Sequence, residues 1–179
     1  MRKIILLLIF LVSLSCSKAQ DNQQKIWSGI VYSFSSGPLP PKYQYKYSVV
    51  LNEDNSCAFS YLFGINDTAK PETKSFTIVD VNKDSLTSLI NETGLLEGKI
   101  ISLPEHKHPI GGSLKSVTVV MKQTNPNLDQ PPPVYVAPYF PVEEYKIKLE
   151  KLYDYIYSLV PQEYRDEMNS KRDEFINKN

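Results

Sequence analysis

The chain has 179 residues, with Lys+Arg 20 against Asp+Glu 20, two cysteines, two histidines and 12 tyrosines. That length suits one domain, large enough to hold a core without a disulfide or metal staple. Two cysteines exclude a disulfide framework or a four-cysteine zinc site, and the balanced charge excludes a generic electrostatic grip on nucleic acid.

Arg2 and Lys3 form a positive start, followed by the unbroken apolar run Ile4 to Val12, which Leu14 extends. A membrane-spanning helix needs about 20 such residues, so this shorter run predicts the apolar region of a secretory signal peptide over residues 1–15. In Ser13-Leu14-Ser15-Cys16 a small residue precedes a cysteine, and Ser17-Lys18 follows. This end resembles the signal-peptide ends of Bacteroidetes-type envelope lipoproteins, with Ser13 where the usual pattern has leucine. The resemblance covers about the first twenty residues. It implies cleavage before Cys16, lipidation of that residue, and anchoring to a membrane of a Gram-negative cell envelope. Ser17-Lys18-Ala19 offers an alternative, cleavage after Ala19, which would give a soluble periplasmic or secreted protein. Loss of residues 1–15 leaves 18 basic against 20 acidic residues, a net charge of −2. Residues 16–25 are polar and aperiodic and read as a tether.

From residue 26 to 179 the chain reads as a single α+β domain. Ile26, Ser28, Ile30, Tyr32 and Phe34 alternate as one face of a strand, ended by the turn residues of 35–41. Tyr43, Tyr45, Tyr47, Val49 and Leu51 alternate strictly, and after Asn52–Asn55 so do Cys57, Phe59, Tyr61 and Phe63, which predicts an antiparallel hairpin. Thr73 to Val81 predicts a further strand. Asn82 or Asp84 can start a helix carrying Leu86, Leu89 and Ile90, with Gly94 at its end. Lys99 to Leu103 predicts a short strand, Ser113 to Gln123 a central one, and Val134 to Phe140 an edge interrupted by Pro138. Pro141 opens a helix to about residue 160, striped by Tyr145, Leu149, Leu152, Ile156 and Leu159. Pro161 divides it from a charged helix over 161–177, with Tyr164, Met168 and Phe175 on its apolar edge. Strands first and helices last predict one antiparallel sheet with helices packed on one face.

Candidate chemistry is sparse. In an extended loop His106 and His108 would point the same way and could share a metal ion, but zinc needs three or four ligands and the chain has no third histidine. A solvated loop is the favoured reading, and no metal or other cofactor is expected. Gly111-Gly112 reads as a tight turn. Cys57, on the apolar face of its strand, reads as a buried thiol. Tyr43, Tyr45 and Tyr47 form a ladder that is either the buried face of the sheet or a surface for a protein or a sugar ring, and Tyr155 is placed toward water. Asp67-Thr68-Ala69 resembles the O-glycan acceptor pattern of Bacteroidetes-type secreted proteins, at Thr68, and Asp84-Ser85-Leu86 matches it too. The expectation is a non-enzymatic envelope lipoprotein that binds or scaffolds an unknown envelope protein or glycan. The alternative is a small envelope hydrolase whose carboxylate or serine site is assembled from loops 35–41, 104–112 and 124–133.

Overall fold

Strict alternation in the first half of the chain builds most of a six-stranded sheet, seen in a computed structural model that describes residues 27–64, 69–123 and 130–178. The predicted signal peptide, Cys16, the predicted tether and Thr68 lie outside these residues. The strands are β1 (Trp27–Ser35), β2 (Tyr45–Asn52), β3 (Ser56–Phe63), β4 (Glu72–Thr77), β5 (Leu114–Met121) and β6 (Val134–Val136). Their order across the sheet is β4-β3-β2-β1-β5-β6, and every neighbouring pair is antiparallel. The predicted hairpin is β2–β3, with Tyr47 opposite Tyr61 and Leu51 opposite Cys57.

The helices α1 (Lys83–Thr93), α2 (Glu143–Ser158) and α3 (Gln162–Lys178) cover one face, so the fold is α+β. The Asn82 side-chain oxygen accepts from the Ser85 amide at 2.9 Å and caps α1, while Gly94, at φ 71°, ends it in the left-handed conformation that glycine adopts without strain. Leu86 and Ile90 of α1 and Leu149, Leu152 and Ile156 of α2 are fully buried against Ile30, Val49, Leu51, Phe59, Val117 and Val119 of the sheet. Each such side chain contributes about 1.5–3 kcal/mol by leaving water. Glu143 and Glu144 sit in the first turn of α2, at the positive end of its dipole. Pro161 separates α2 from α3, and Met168 is the fully buried member of the apolar edge of α3.

Several expectations need correcting. A register shift in β1 between Trp27 and Gly29 puts Trp27, not Ser28, on the core side; the Trp27 indole donates to Thr87 Oγ1 at 3.3 Å, and Ser28 turns to the β5 carbonyls. Tyr43 is not in the strand. Pro40 and Pro41 start a 3-10 turn over Pro41–Tyr43, so the alternation that includes Tyr43 does not continue as sheet. Lys99 to Leu103 forms a bridge, Ser102 to Pro141, instead of a strand. The strand predicted to Val81 stops at Thr77. β5 lies next to the edge strand β6, and β1 and β2 hold the middle of the sheet.

Candidate functional site

The tyrosine ladder becomes the seat of the C-terminal helix. Tyr47 lies between sheet and helices, stacked on Phe34 with ring centroids 4.7 Å apart and touching Tyr157 at 5.1 Å. Its hydroxyl donates to that of Tyr32, and burial raises its pKa far above the ordinary phenol value; Tyr32 is pushed up to about 12, chiefly by burial. α3 lays cations over one ring of the ladder and two of its neighbours: Arg172 over Tyr45 at 5.1 Å, Lys171 over Tyr61 at 5.9 Å and Arg165 over Tyr157 at 5.5 Å. Tyr43 is exposed, with Lys42 over its ring. Tyr155 is half-buried against the core, and its hydroxyl donates to the Asn82 carbonyl at 3.3 Å. These four tyrosines therefore do not form one continuous patch.

His106 and His108 do not point the same way. Glu105–Lys107 is a 3-10 turn, which removes the extended geometry that a shared ion requires. His106 is exposed, whereas a ring nitrogen of His108 lies 2.9 Å from the Leu103 carbonyl oxygen and the ring packs 4.5 Å from Phe140. Among the described residues no group of three or more His, Cys, Asp or Glu side chains is placed to hold a metal ion. Cys57 is buried, and burial pushes its thiol up to about 11, away from the thiolate that a nucleophile needs.

The side chains that do converge on a concavity sit beside α2. Before this helix, Leu103 N–H donates to Phe140 O at 2.7 Å and Val142 N–H to Ile101 O at 2.9 Å, which ties segment 101–103 to segment 140–142. Segment 104–113 then arches into β5, and its Pro109, Gly111, Gly112 and Ser113 line one concavity together with Glu143, Lys146 and Glu150 of α2. Gly37 locks that arch to the opposite loop, because a Cβ at its φ of 81° would collide with the Gly112 carbonyl oxygen. The result is a cleft of about 410 Å³ with Leu103, Pro109 and Phe140 among its apolar walls and Leu149 and Tyr153 on its α2 side.

Its polar groups are few and specific. Lys115 of β5 and Glu150 of α2 form an ion pair at 2.5 Å, partly exposed on both sides. Lys146 and Glu143 pair at 3.4 Å at the rim. Tyr153 stacks on Tyr32 and is 4% exposed, yet its hydroxyl has no hydrogen-bond partner among the described residues. Burial and the nearby Glu150 carboxylate raise its pKa, so the phenol stays protonated at neutral pH and retains its donor. Of the loops expected to assemble a site, 104–112 contributes. The residues that sequence reasoning missed are Lys115, Glu150 and Tyr153. A phenol beside Leu152, on the stripe that buries α2, was the available signal for Tyr153.

Among the described residues no helix covers the opposite face of the sheet. The register aligns Ser116, Ser33, Ser48, Ser60 and Thr73 in a row across β5, β1, β2, β3 and β4. A shallower hollow of about 380 Å³ lies over this row, and Tyr139 borders both concavities. Here Ser60 and Thr73 bond each other at 2.9 Å and Ser116 donates to the Ala137 carbonyl at 2.6 Å, so these hydroxyls are already engaged.

No protein-family model matches the chain, and no curated protein matches it significantly. None of the helices among the described residues is long and apolar enough to cross a membrane.

Proposed function

We propose that this protein is a non-enzymatic envelope lipoprotein, held at a membrane by lipid on Cys16, whose domain captures a ligand in the cleft beside α2. The location rests on the resemblance carried by Ser15-Cys16-Ser17-Lys18 after the apolar run. The observation that carries the binding half is the buried Tyr153 hydroxyl, left without a partner among the described residues at the wall of a cleft whose charged groups are paired. A buried polar group without a partner costs about 1–3 kcal/mol, and a bound ligand would recover that cost. Chemistry is disfavoured by what the reactive groups are doing. His108 is engaged with Leu103 and Phe140, Cys57 is buried with a raised pKa, and Glu150 and Glu143 are each held by a lysine.

Palmitate labelling of the full chain in a Gram-negative host tests the anchor. Label is expected on the native protein and absent from Cys16→Ala; an unlabelled mature chain beginning at Gln20 overturns the anchor and leaves a soluble protein. The mature protein incubated with envelope extract is expected to retain a component and release it chemically unchanged. Recovery of a cleaved component would make the protein a hydrolase instead.

A further inference from the structure

The charged groups of the α2 cleft cancel in pairs, Lys115 with Glu150 and Lys146 with Glu143. The site therefore offers no net attraction to an anion or a cation, and a charged ligand would have to break an existing pair to gain one of its own. A neutral ligand with adjacent hydroxyls has no such conflict. One hydroxyl can accept from the Lys115 ammonium while its neighbour donates to the Glu150 carboxylate, because each hydroxyl is both donor and acceptor. Behind the cleft wall the Tyr153 hydroxyl, closed to solvent in the free protein and without a partner among the described residues, would supply a further donor and acceptor to a ligand hydroxyl that opens that wall. Phe140, held by the His108 ring at 4.5 Å, and Tyr139, 58% exposed at the rim, offer apolar faces to the C–H face of a saturated ring.

We infer that the cleft between α2 and segment 103–113 is a site for a neutral sugar, with adjacent ring hydroxyls on Lys115 and Glu150 and a further hydroxyl on Tyr153. This names the ligand class of the binding module proposed above and rests on that reading. The hollow on the open sheet face is the weaker place for such a ligand, because its lining holds Lys46 but no carboxylate to accept from a ligand hydroxyl.

Saturation-transfer NMR with the mature protein tests the inference, using glucose, galactose, mannose, N-acetylglucosamine and their β-1,4-linked disaccharides, with glucuronate and glucosamine as charged counterparts. At least one neutral sugar is expected to bind, and its charged counterpart tenfold or more weakly. Tyr153→Phe keeps the ring on Tyr32 and removes only the unpartnered hydroxyl; it is expected to weaken binding about tenfold while the melting temperature does not fall. Glu150→Gln keeps the shape of the carboxylate and is expected to weaken binding by a similar factor. A charged sugar that binds as tightly as the neutral one, no binding of any neutral sugar at millimolar concentration, or unchanged affinity in Tyr153→Phe overturns the inference. If the sugars fail but the mature protein retains another envelope component in a Tyr153-dependent way, the module stands and the sugar falls. If nothing is retained, both fall.

Discussion

The Arg172 guanidinium of α3 lies over the Tyr45 ring of β2, 5.1 Å from its centre. A residue near the C-terminus thus closes over the strand that begins the hairpin, in line with Lys171 over Tyr61 and Arg165 over Tyr157. A cation over an aromatic face at a solvent-accessible position contributes about 0.5–1 kcal/mol. Arg172→Ala is expected to lower the urea unfolding free energy by about that amount, and Tyr45→Leu should remove most of the difference. A double-mutant cycle with no coupling between the two positions would mean that the contact carries no energy.

The same helix is tied to the sheet edge by ions. Lys171 reaches Glu72 at 2.6 Å and Glu167 at 2.8 Å, and Lys74 reaches Glu167 at 2.9 Å. Hydrogen bonds from Lys171 and then Lys74 hold the Glu167 carboxyl at about 2, below its ordinary value of 4.5. A group whose folded pKa is depressed adds stability above its unfolded pKa and loses it as the pH falls toward the folded value. Glu167→Gln is therefore expected to be less stable than the native protein at pH 7, with the gap closing between about pH 4.5 and pH 2. The gap should also shrink in 1 M NaCl, where the screening length falls to roughly 3 Å. Urea midpoints across pH and salt check both; a gap constant with pH would show that the ions do not produce it.

The approach of Gly37 to Gly112 brings loop 35–41 against the arch of the cleft. An alanine at positive φ is strained by about 1–2 kcal/mol, and at Gly37 it would also strike the Gly112 carbonyl. Gly111, at φ 101°, has open space around its Cβ position and isolates the backbone cost. Gly37→Ala is expected to be more destabilising than Gly111→Ala, measured by thermal unfolding. Equal losses would place the two loops apart in solution.

Cys57 faces Phe76 across β3 and β4, 3% exposed, with its thiol raised to about 11. Only the thiolate reacts with a disulfide reagent. At pH 8 the folded Cys16→Ala chain is expected to react with Ellman's reagent at the rate of global unfolding, accelerating with urea as the protein opens. Fast labelling without denaturant would put this thiol at the surface.

How much of this was legible in the sequence depended on distance along the chain. The β2–β3 hairpin and α1 were readable because their signals are local: period-two alternation around Asn52–Asn55, and Asn82 and Gly94 at the two ends of a leucine and isoleucine stripe. The alternation misplaces Tyr43 and Ser28, at the 3-10 turn after Pro40 and at the β1 register shift. The meaning of the tyrosine ladder lies in Arg172, over Tyr45, and Tyr157, against Tyr47, each more than a hundred residues away, and no spacing rule links these segments. The cleft was half visible. Loop 104–112 is among those expected to form a site, but Lys115 of β5 and Glu150 of α2 meet only in the folded chain, where an ion pair joins them.

β1 follows the polar segment of residues 16–25 directly, yet it lies inside the sheet between β2 and β5. Antiparallel neighbours flank it over most of its length, from Gly29 to Ser35. Tension applied through the N-terminus would run along this strand and load both ladders in shear. The hydrogen bonds would then share the force together, whereas an edge strand pulled at its end would unzip bond by bond. With the proposed anchor at Cys16, this topology would make the point of attachment a mechanically resistant part of the fold.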